Sequence, residues 1–357
     1  MIAAVRAALA QQARFCAGLG APFTGALCRV LADAVPPASL TGQRLAAWPG
    51  EPMTDALPMR LTGALHALVR GGRAPGLAAL YPPAAMPDDA ALRLALAALF
   101  TDPAADAAVA AFLDSPPQTN EVGRAGALMP GLLCVAAATG LPLALLELGA
   151  SAGLNLNMDR FAHDLGGVLA GDQASAVIVR PHWQGPPPPA AAIRVVARQG
   201  VDIAPLDAGD PAVAERLLAF IWADQPERLA RTQAAIALAR RHPPPLARGD
   251  AADWLEHALA LADGTATVVY HSIAFQYFPA PAQERIRAHL AHVGASATPA
   301  RPLAWLRLEM DDPANPAQPA IRLTLWRGQG PEEQLLGHAH AHGTFVQWAG
   351  VVGAGAA

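Results

Sequence analysis

The stretch "LPLALLELGASAGLNLNMDRF", residues 141–161, decides how this chain is read. An apolar run ends in Glu147, and a turn of Gly149, Ala150, Ser151, Ala152 and Gly153 follows before helical spacing resumes. A short apolar run closed by glycines reads as a buried strand, so the segment is strand, tight turn, helix. Two chemistries use such a unit. Gly-x-Ser-x-Gly is the elbow that presents the nucleophile of a serine hydrolase. Glu-x-Gly-x-x-x-Gly is the first loop of an α/β cofactor sheet, where glycine lets a ligand approach the backbone at a helix N-terminus.

Composition narrows the field. At 357 residues, 53% hydrophobic and 15% charged, the chain can bury two ordinary domains or one large one, and global disorder is excluded. A net charge of -4 gives no electrostatic footprint for nucleic acid or an anionic membrane. All 25 basic residues are arginine, so chemistry that needs lysine, such as a P-loop or a Schiff base, is ruled out. Cys16, Cys28 and Cys134 follow no metal spacing and fit a reducing compartment. The opening "MIAAVRAALAQQARF" lacks signal-peptide architecture, because Arg6 interrupts the apolar run and Gln11 and Gln12 follow it. Residues 125–146 carry no charge and are long enough to cross a bilayer. Pro130, Gly131, Gly140 and Pro142 punctuate them, so a buried helix, a turn and a strand are expected instead. The expectation is a cytoplasmic protein with no membrane contact.

Residues 1–118 read as helices with proline-marked turns, and no strand is expected before 143. From there strands alternate with helices: "LALLELG", "IRVVARQGVD", "PLARGD", "TATVVYHSIAF", "PLAWLRLE", "AIRLTLWRG" and "QLLGHAHAHGTFVQW", with helical stretches at 211–241, 251–262 and 281–292. That alternation predicts an α/β domain over 119–357 with a mostly parallel seven-stranded sheet. The last strands follow one another without a helix, which predicts an antiparallel edge. Residues 154–192 form an insertion, closed by the rigid connector "WQGPPPPAA" at 183–191.

For a hydrolase, Ser151 would be the nucleophile, with Asp202 or Asp250 and then His271 or His342 completing a triad. Three features oppose this. The region upstream of the elbow reads helical rather than as earlier strands, no HGGG-type oxyanion segment precedes it, and Glu147 has no role there. For a cofactor loop, later strands supply what the loop lacks alone. "GVDIAPLD" puts Asp202 at a strand's carboxyl end, where an acid takes ribose hydroxyls. "ARGDAADWL" puts Asp250 before a helix, suited to accept from an adenine amino group, and "VVYHSIAFQYF" delivers His271, Ser272, Gln276 and Tyr277. Ligands of such sheets gather at these strand ends.

The series resembles the class I S-adenosylmethionine-dependent methyltransferases. In that resemblance Glu147 to Gly153 correspond to the first motif, with Ser151 in place of a glycine, Asp202 to the ribose acid, Asp250 to the adenine-side acid and 268–277 to the fourth-strand motif. The departure is the insertion, which places Asp202 far beyond the usual spacing from the loop. End to end, from "QARFCAGLGAPFTGAL" through "PQTNEVGR", "ELGASAGLNL", "GVDIAPLD" and "HSIAFQYF" to "HGTFVQW", the chain also resembles the bacterial domain-of-unknown-function 2332 family, which brings no activity with it.

The expected cofactor-binding residues are Glu147, Gly149, Ser151, Gly153, Asn155, Asp202 and Asp250. Asn120 and Arg124 of "TNEVGR" are expected to face a carboxylate such as the cofactor's methionine end. Only four asparagines occur, and three of them, Asn120, Asn155 and Asn157, fall here. The catalytic candidates are His271, His342 and Tyr277. His338, His340 and His342 would share one face of a strand; an exposed edge is favoured over a metal site, because zinc seldom draws all its ligands from one short strand. The reading is a helical domain followed by a Rossmann-like methyltransferase domain acting on a small or medium-sized molecule, with no nucleic acid partner. The alternatives are a nucleotide-sensing protein without catalysis and, third, the hydrolase.

Overall fold

The computed structural model describes residues 2–315 and 317–350, and the chain divides into two compact units. One unit holds residues up to Thr119 together with Pro211–Ala230, and the other holds Asn120–Asp210 together with Arg231 onward.

The first unit opens with α1 (Ala3–Gly18), α2 (Pro22–Ala34), α3 (Leu40–Ala46), α4 (Leu57–Arg70), α5 (Pro75–Ala78), α6 (Asp89–Thr101) and α7 (Pro103–Phe112). Prolines sit in the first turn of α2, α4, α5 and α7, where the missing N–H costs nothing. Asp88 and Asp102 cap α6 and α7 by accepting from the amides of Ala91 and Ala104. Buried Asp106 accepts from Leu40 and Thr41 at the start of α3. Leucines at helical spacing, including Leu27, Leu31, Leu61, Leu65, Leu92 and Leu96, close the core.

The second unit begins with a short 3-10 turn (Val122–Arg124) and α8 (Ala125–Thr139), which ends at Gly140 with φ of +66°. Then come β1 (Leu143–Leu148), a 3-10 segment (Leu154–Arg160), β2 (Ala162–Leu165), β3 (Val168–Gly171), β4 (Ile178–Val179), β5 (His182–Gln184) and β6 (Val195–Asp202). Next in the chain are α9 (Pro211–Ala219), which belongs to the first unit, and α10 (Pro226–Arg241), within which the division falls. They are followed by β7 (Leu246–Arg248), α11 (Ala251–Ala258), β8 (Ala266–Ser272), a 3-10 turn (Phe275–Tyr277), α12 (Ala280–Gly294), β9 (Leu303–Glu309), β10 (Ala320–Trp326), β11 (Pro331–Ala339) and β12 (Phe345–Trp348). A boundary at 118/119 alone therefore misses α9 and the first residues of α10: helical periodicity says nothing of which core a helix joins.

The main sheet has the order β5-β12-β11-β10-β9-β8-β1-β6-β7. From β7 through β6, β1 and β8 to β9 every pairing is parallel, and the chain winds outward from β1 in both directions. That is doubly wound topology with its switch point between β1 and β8. Past β9, the strands meander antiparallel through β12, as short connections require.

The sheet has nine strands, not seven. The final stretch breaks into two strands, because the Gly343 amide donates to the His340 carbonyl at 2.8 Å in a turn where Gly343 has φ of +68°. The insertion adds β5, parallel to β12, so Trp183 lies in a strand rather than in the free connector. It also forms a separate sheet of order β3-β2-β4.

Alternation along the strands sorts the faces. Leu146, Leu148, Val269 and Trp305 pack with the residues of α11 and α12 in one core. Glu147 and Tyr270 point the other way. On that face α8 runs close to β9: a Cβ on Gly131 would lie 2.4 Å from Leu306 Cδ1. The stretch 122–139 is long and apolar enough to cross a membrane, but 78% of it is buried, and every residue of α8 from Ala125 to Ala136 is buried, as expected of a core helix that is apolar all round.

Candidate functional site

Three loop residues after β1 lie in the left-handed region: Gly149 at φ +69°, Ser151 at +54° and Gly153 at +66°. Glycine accepts this freely, whereas Ser151 is held there against its preference. At the end of β8, β-branched Ile273 is also left-handed, with φ of +48°. Backbone strain thus sits on both sides of the switch point. The strand ends approach so closely there that a Cβ on Gly149 would lie 2.7 Å from the Cβ of Ala274.

Four of the loop's five amides, those of Gly149, Ala150, Ser151 and Gly153, are already committed. Gly149 and Ala150 donate to the Val201 carbonyl at 2.9 and 3.0 Å, and Gly153 donates to the Ala150 carbonyl at 2.7 Å. Ser151 N–H donates to Asp202 Oδ2 at 2.8 Å and Leu154 N–H to Asn120 Oδ1 at 2.6 Å. This turn is no phosphate cradle, which needs convergent unpaired amides. Asp202, expected to take ribose hydroxyls, braces the loop instead, its other oxygen accepting from Ala204 N–H at 2.9 Å. Leu206 N–H closes the brace on the Ser151 carbonyl at 3.1 Å. Asp250 caps α11, with Oδ1 accepting from Ala252 and Asp253. Asn155 donates to the Glu121 carbonyl at 3.1 Å. Its Oδ1 and the hydroxyl of Ser151 are buried polar atoms with no hydrogen-bond partner.

Glu147 lies beside Tyr270 across the β1–β8 ladder and is only 2% exposed. Burial pushes its carboxyl up to about 8, with Asp202 adding to the rise, while the Tyr270 hydrogen bond and the charge of Arg124 oppose it. At neutral pH this is mostly a neutral acid at the carboxyl end of the central strand. Arg124 donates to the Ser272 carbonyl at 2.9 Å and to the Ala341 carbonyl at 3.0 Å, tying the end of β8 to the turn before β12. His342 arrives on that turn: its carbonyl would lie 2.4 Å from a Cβ on Gly123. Arg124, Glu147, the Ser272 carbonyl and the His342 turn therefore share one end of the sheet.

His271 does not join them as an accessible base. It is fully buried, its Nδ1 lies 2.7 Å from Glu309 Oε1, and its Nε2 accepts from Trp305 at 3.0 Å. Those partners fix a neutral ring that donates from Nδ1, stacked on Phe275 with centroids 4.7 Å apart. Glu309 Oε1 also accepts from Ala274 and Phe275. Burial raises its carboxyl, but His271 and these two amides outweigh burial and hold it below the usual range. Tyr277, in contrast, stands 75% exposed on the turn after β8.

The three alternate histidines do not share a strand face. Only His338 lies in β11, bonded to Asp312 Oδ2 at 2.7 Å, while His340 and His342 sit in the following turn with ring centroids 5.3 Å apart. Among the described residues no group of three or more His, Cys, Asp or Glu side chains could hold a metal. Glu309 is the residue the sequence reading missed. It ends β9, as Glu147 stands one residue before the end of β1, and an acid at the close of an apolar strand was the available signal.

The chain belongs to the family described as uncharacterized proteins conserved in bacteria, the domain-of-unknown-function 2332 family, whose model matches residues 6–348. No curated protein and no solved structure matches it.

Proposed function

We propose that this member of that bacterial family is an S-adenosylmethionine-dependent methyltransferase acting on a small or medium-sized molecule. The observation that carries the reading is Glu147: a buried, largely neutral acid near the carboxyl end of the central strand, two residues before a left-handed glycine loop at the switch point. Such a carboxyl ionises readily only when a cation arrives to offset desolvation. S-adenosylmethionine brings a sulfonium and an ammonium and no phosphate, which suits a loop with four of its five amides already bonded better than a dinucleotide would. The cofactor supplies an electrophilic methyl group.

On the protein side Glu147 and Tyr270 would hold the cationic end. Gly149 and Gly153 permit close backbone approach, and the unpartnered Ser151 hydroxyl and Asn155 Oδ1 would complete the polar contacts. Asp202 and Asn120 keep the loop in shape. Tyr277 and His342 are the groups placed to meet the acceptor, with His271 and Glu309 supporting the turn beneath.

Commitment of Asp202 and His271 to internal bonds favours a second reading, a ligand-sensing protein that keeps this sheet without methyl transfer. The hydrolase has less support, since the Ser151 hydroxyl is buried and bonded to no histidine.

Calorimetric titration of the full chain with S-adenosylmethionine and S-adenosylhomocysteine tests the proposal. Saturable 1:1 binding is expected, weakened about tenfold or more for S-adenosylmethionine by Glu147→Gln. Absence of binding by the wild type overturns it, and binding without transfer to any acceptor favours the sensor.

A further inference from the structure

A cleft of about 530 Å³ opens beside the glycine loop, bounded by Ala152, by the segment after β6 (205–209) and by the residues joining α10 to β7. It lies entirely within the second unit. None of the residues expected to bind the cofactor lines it, nor do Tyr270, Tyr277 or His342. We propose that this cleft is a second ligand site, for a planar aromatic ring that carries one anionic group.

The walls argue for the ring. Pro205, Pro243 and Pro244 line the cleft with Leu206 and Leu246. Proline rings present flat C–H faces with little side-chain freedom to lose, so an apolar slot built from them is preorganised. The volume falls in the range of pockets that enclose nucleotide-sized molecules, which combine apolar lining with few polar groups.

The rim argues for the anion. Arg240 lines the cleft and spends its Nε on the Ala208 carbonyl at 3.3 Å, which orients the guanidinium. Among the described residues no carboxylate pairs with it, so its two terminal nitrogens can fork onto a phosphate, sulfonate or carboxylate. The one acid on the rim, Asp207, accepts from Gly209 N–H at 2.8 Å through Oδ1 and shapes the 205–209 turn. Its charge opposes an anion without contacting Arg240, so the two side chains pull the affinity in opposite directions.

The test uses the full chain and 8-anilinonaphthalene-1-sulfonate, followed by fluorescence at fixed ionic strength. One molecule is expected to bind and to be displaced by AMP or by 1-naphthoate. Displacement by AMP identifies a nucleotide as the ligand, and displacement by naphthoate alone identifies an aromatic acid. Adenosine lacks the anion and inorganic phosphate lacks the ring, so each should compete at least about tenfold more weakly than AMP, the worth of one charge-assisted bidentate contact. Arg240→Gln should weaken the probe about tenfold, and Asp207→Asn, which keeps the acceptor for Gly209, should tighten it about two- to threefold. Both positions are exposed, so neither variant threatens the fold. Probe binding unchanged by both substitutions, or displaced by neither AMP nor naphthoate, overturns the proposal. Glu147→Gln must leave probe binding intact, which keeps this outcome separate from that of the methyltransferase reading; loss there with retention in Arg240→Gln also overturns it.

Discussion

The phenol of Tyr270 lies 3.2 Å from Glu147 Oε2, and the two residues are register partners on adjacent parallel strands, β8 and β1. Both are buried, and Tyr270 is held well above its ordinary range, first by burial and then by the neighbouring acid. The pair is a hydrogen-bonded acid and phenol in which burial outweighs the charge of Arg124, an arrangement costly to ionise unless a ligand brings a further cation.

That pairing sets a pH dependence of stability. The folded Glu147 holds its proton up to about 8, while the unfolded chain releases it near 4.5. Because the folded state binds the extra proton in that window, stability falls as pH rises from 4.5 to 8 and levels off above it. The penalty is on the order of 4 kcal/mol at the top of the window. Glu147→Gln keeps an acceptor for Tyr270 and has no charge to bury. Its urea midpoint should exceed the wild type's by a margin that widens from pH 5 to pH 8, and a pH-independent margin would count against a neutral Glu147.

Glu309 should behave in the opposite sense. Its folded carboxyl is depressed, so its stabilising contribution is present above the ordinary value near 4.5 and is lost as pH falls through the lower folded value. Glu309→Ala strips the partner from His271, Ala274 and Phe275 together, and should cost about 3 kcal/mol or more. Chemical denaturation at pH 7 with an unchanged m-value measures this loss. A change within about 0.5 kcal/mol would show that the network does not hold the turn after β8.

His163 provides an independent acid transition. It is fully buried on β2, within hydrogen-bond reach of the Met158 carbonyl at 2.8 Å, and burial lowers it to about 4. The unfolded histidine takes a proton near 6.5, so stability is lost as pH falls from 6.5 to 4, by up to roughly 3 kcal/mol. His163→Gln should flatten that limb of the curve of melting temperature against pH and leave the limb set by Glu147.

Two loop substitutions should move stability in opposite directions. Gly149→Ala places a methyl group 2.7 Å from Ala274 at a left-handed backbone, and should cost about 2 kcal/mol or more. Ser151→Gly relieves a strained residue and removes a buried unpartnered hydroxyl, so a gain of about 0.5–1 kcal/mol is expected. Thermal denaturation checks both. If the Ser151 hydroxyl contacts the ligand, Ser151→Gly should weaken S-adenosylmethionine binding while raising the melting temperature. A fluorophosphonate should leave Ser151 unlabelled.

Much of the architecture was legible from local pattern. The proline-started, leucine-faced helices before residue 119 and the alternation from 143 onward depend on near-neighbour periodicity, which a sequence displays directly. The meandering edge was legible too, because strands without intervening helices have room only for antiparallel return. The split between β11 and β12 was less visible, since one turn at Gly343 interrupts a stretch that otherwise reads as a single strand.

For the site, the sequence by itself determined which residues end the strands of one sheet: Glu147, Asp202, Asp250, and the polar group around His271. Only the tertiary structure decided what each of those groups spends its hydrogen bonds on. Asp202 faces an amide from a loop 51 residues earlier, His271 faces an acid 38 residues later, and Glu147 is left with a phenol. A carboxylate at a strand end is the same letter whether it braces a backbone or waits for a ligand. The difference lies in which donors and how much water the fold brings to it, and those are set by contacts between residues far apart in the chain.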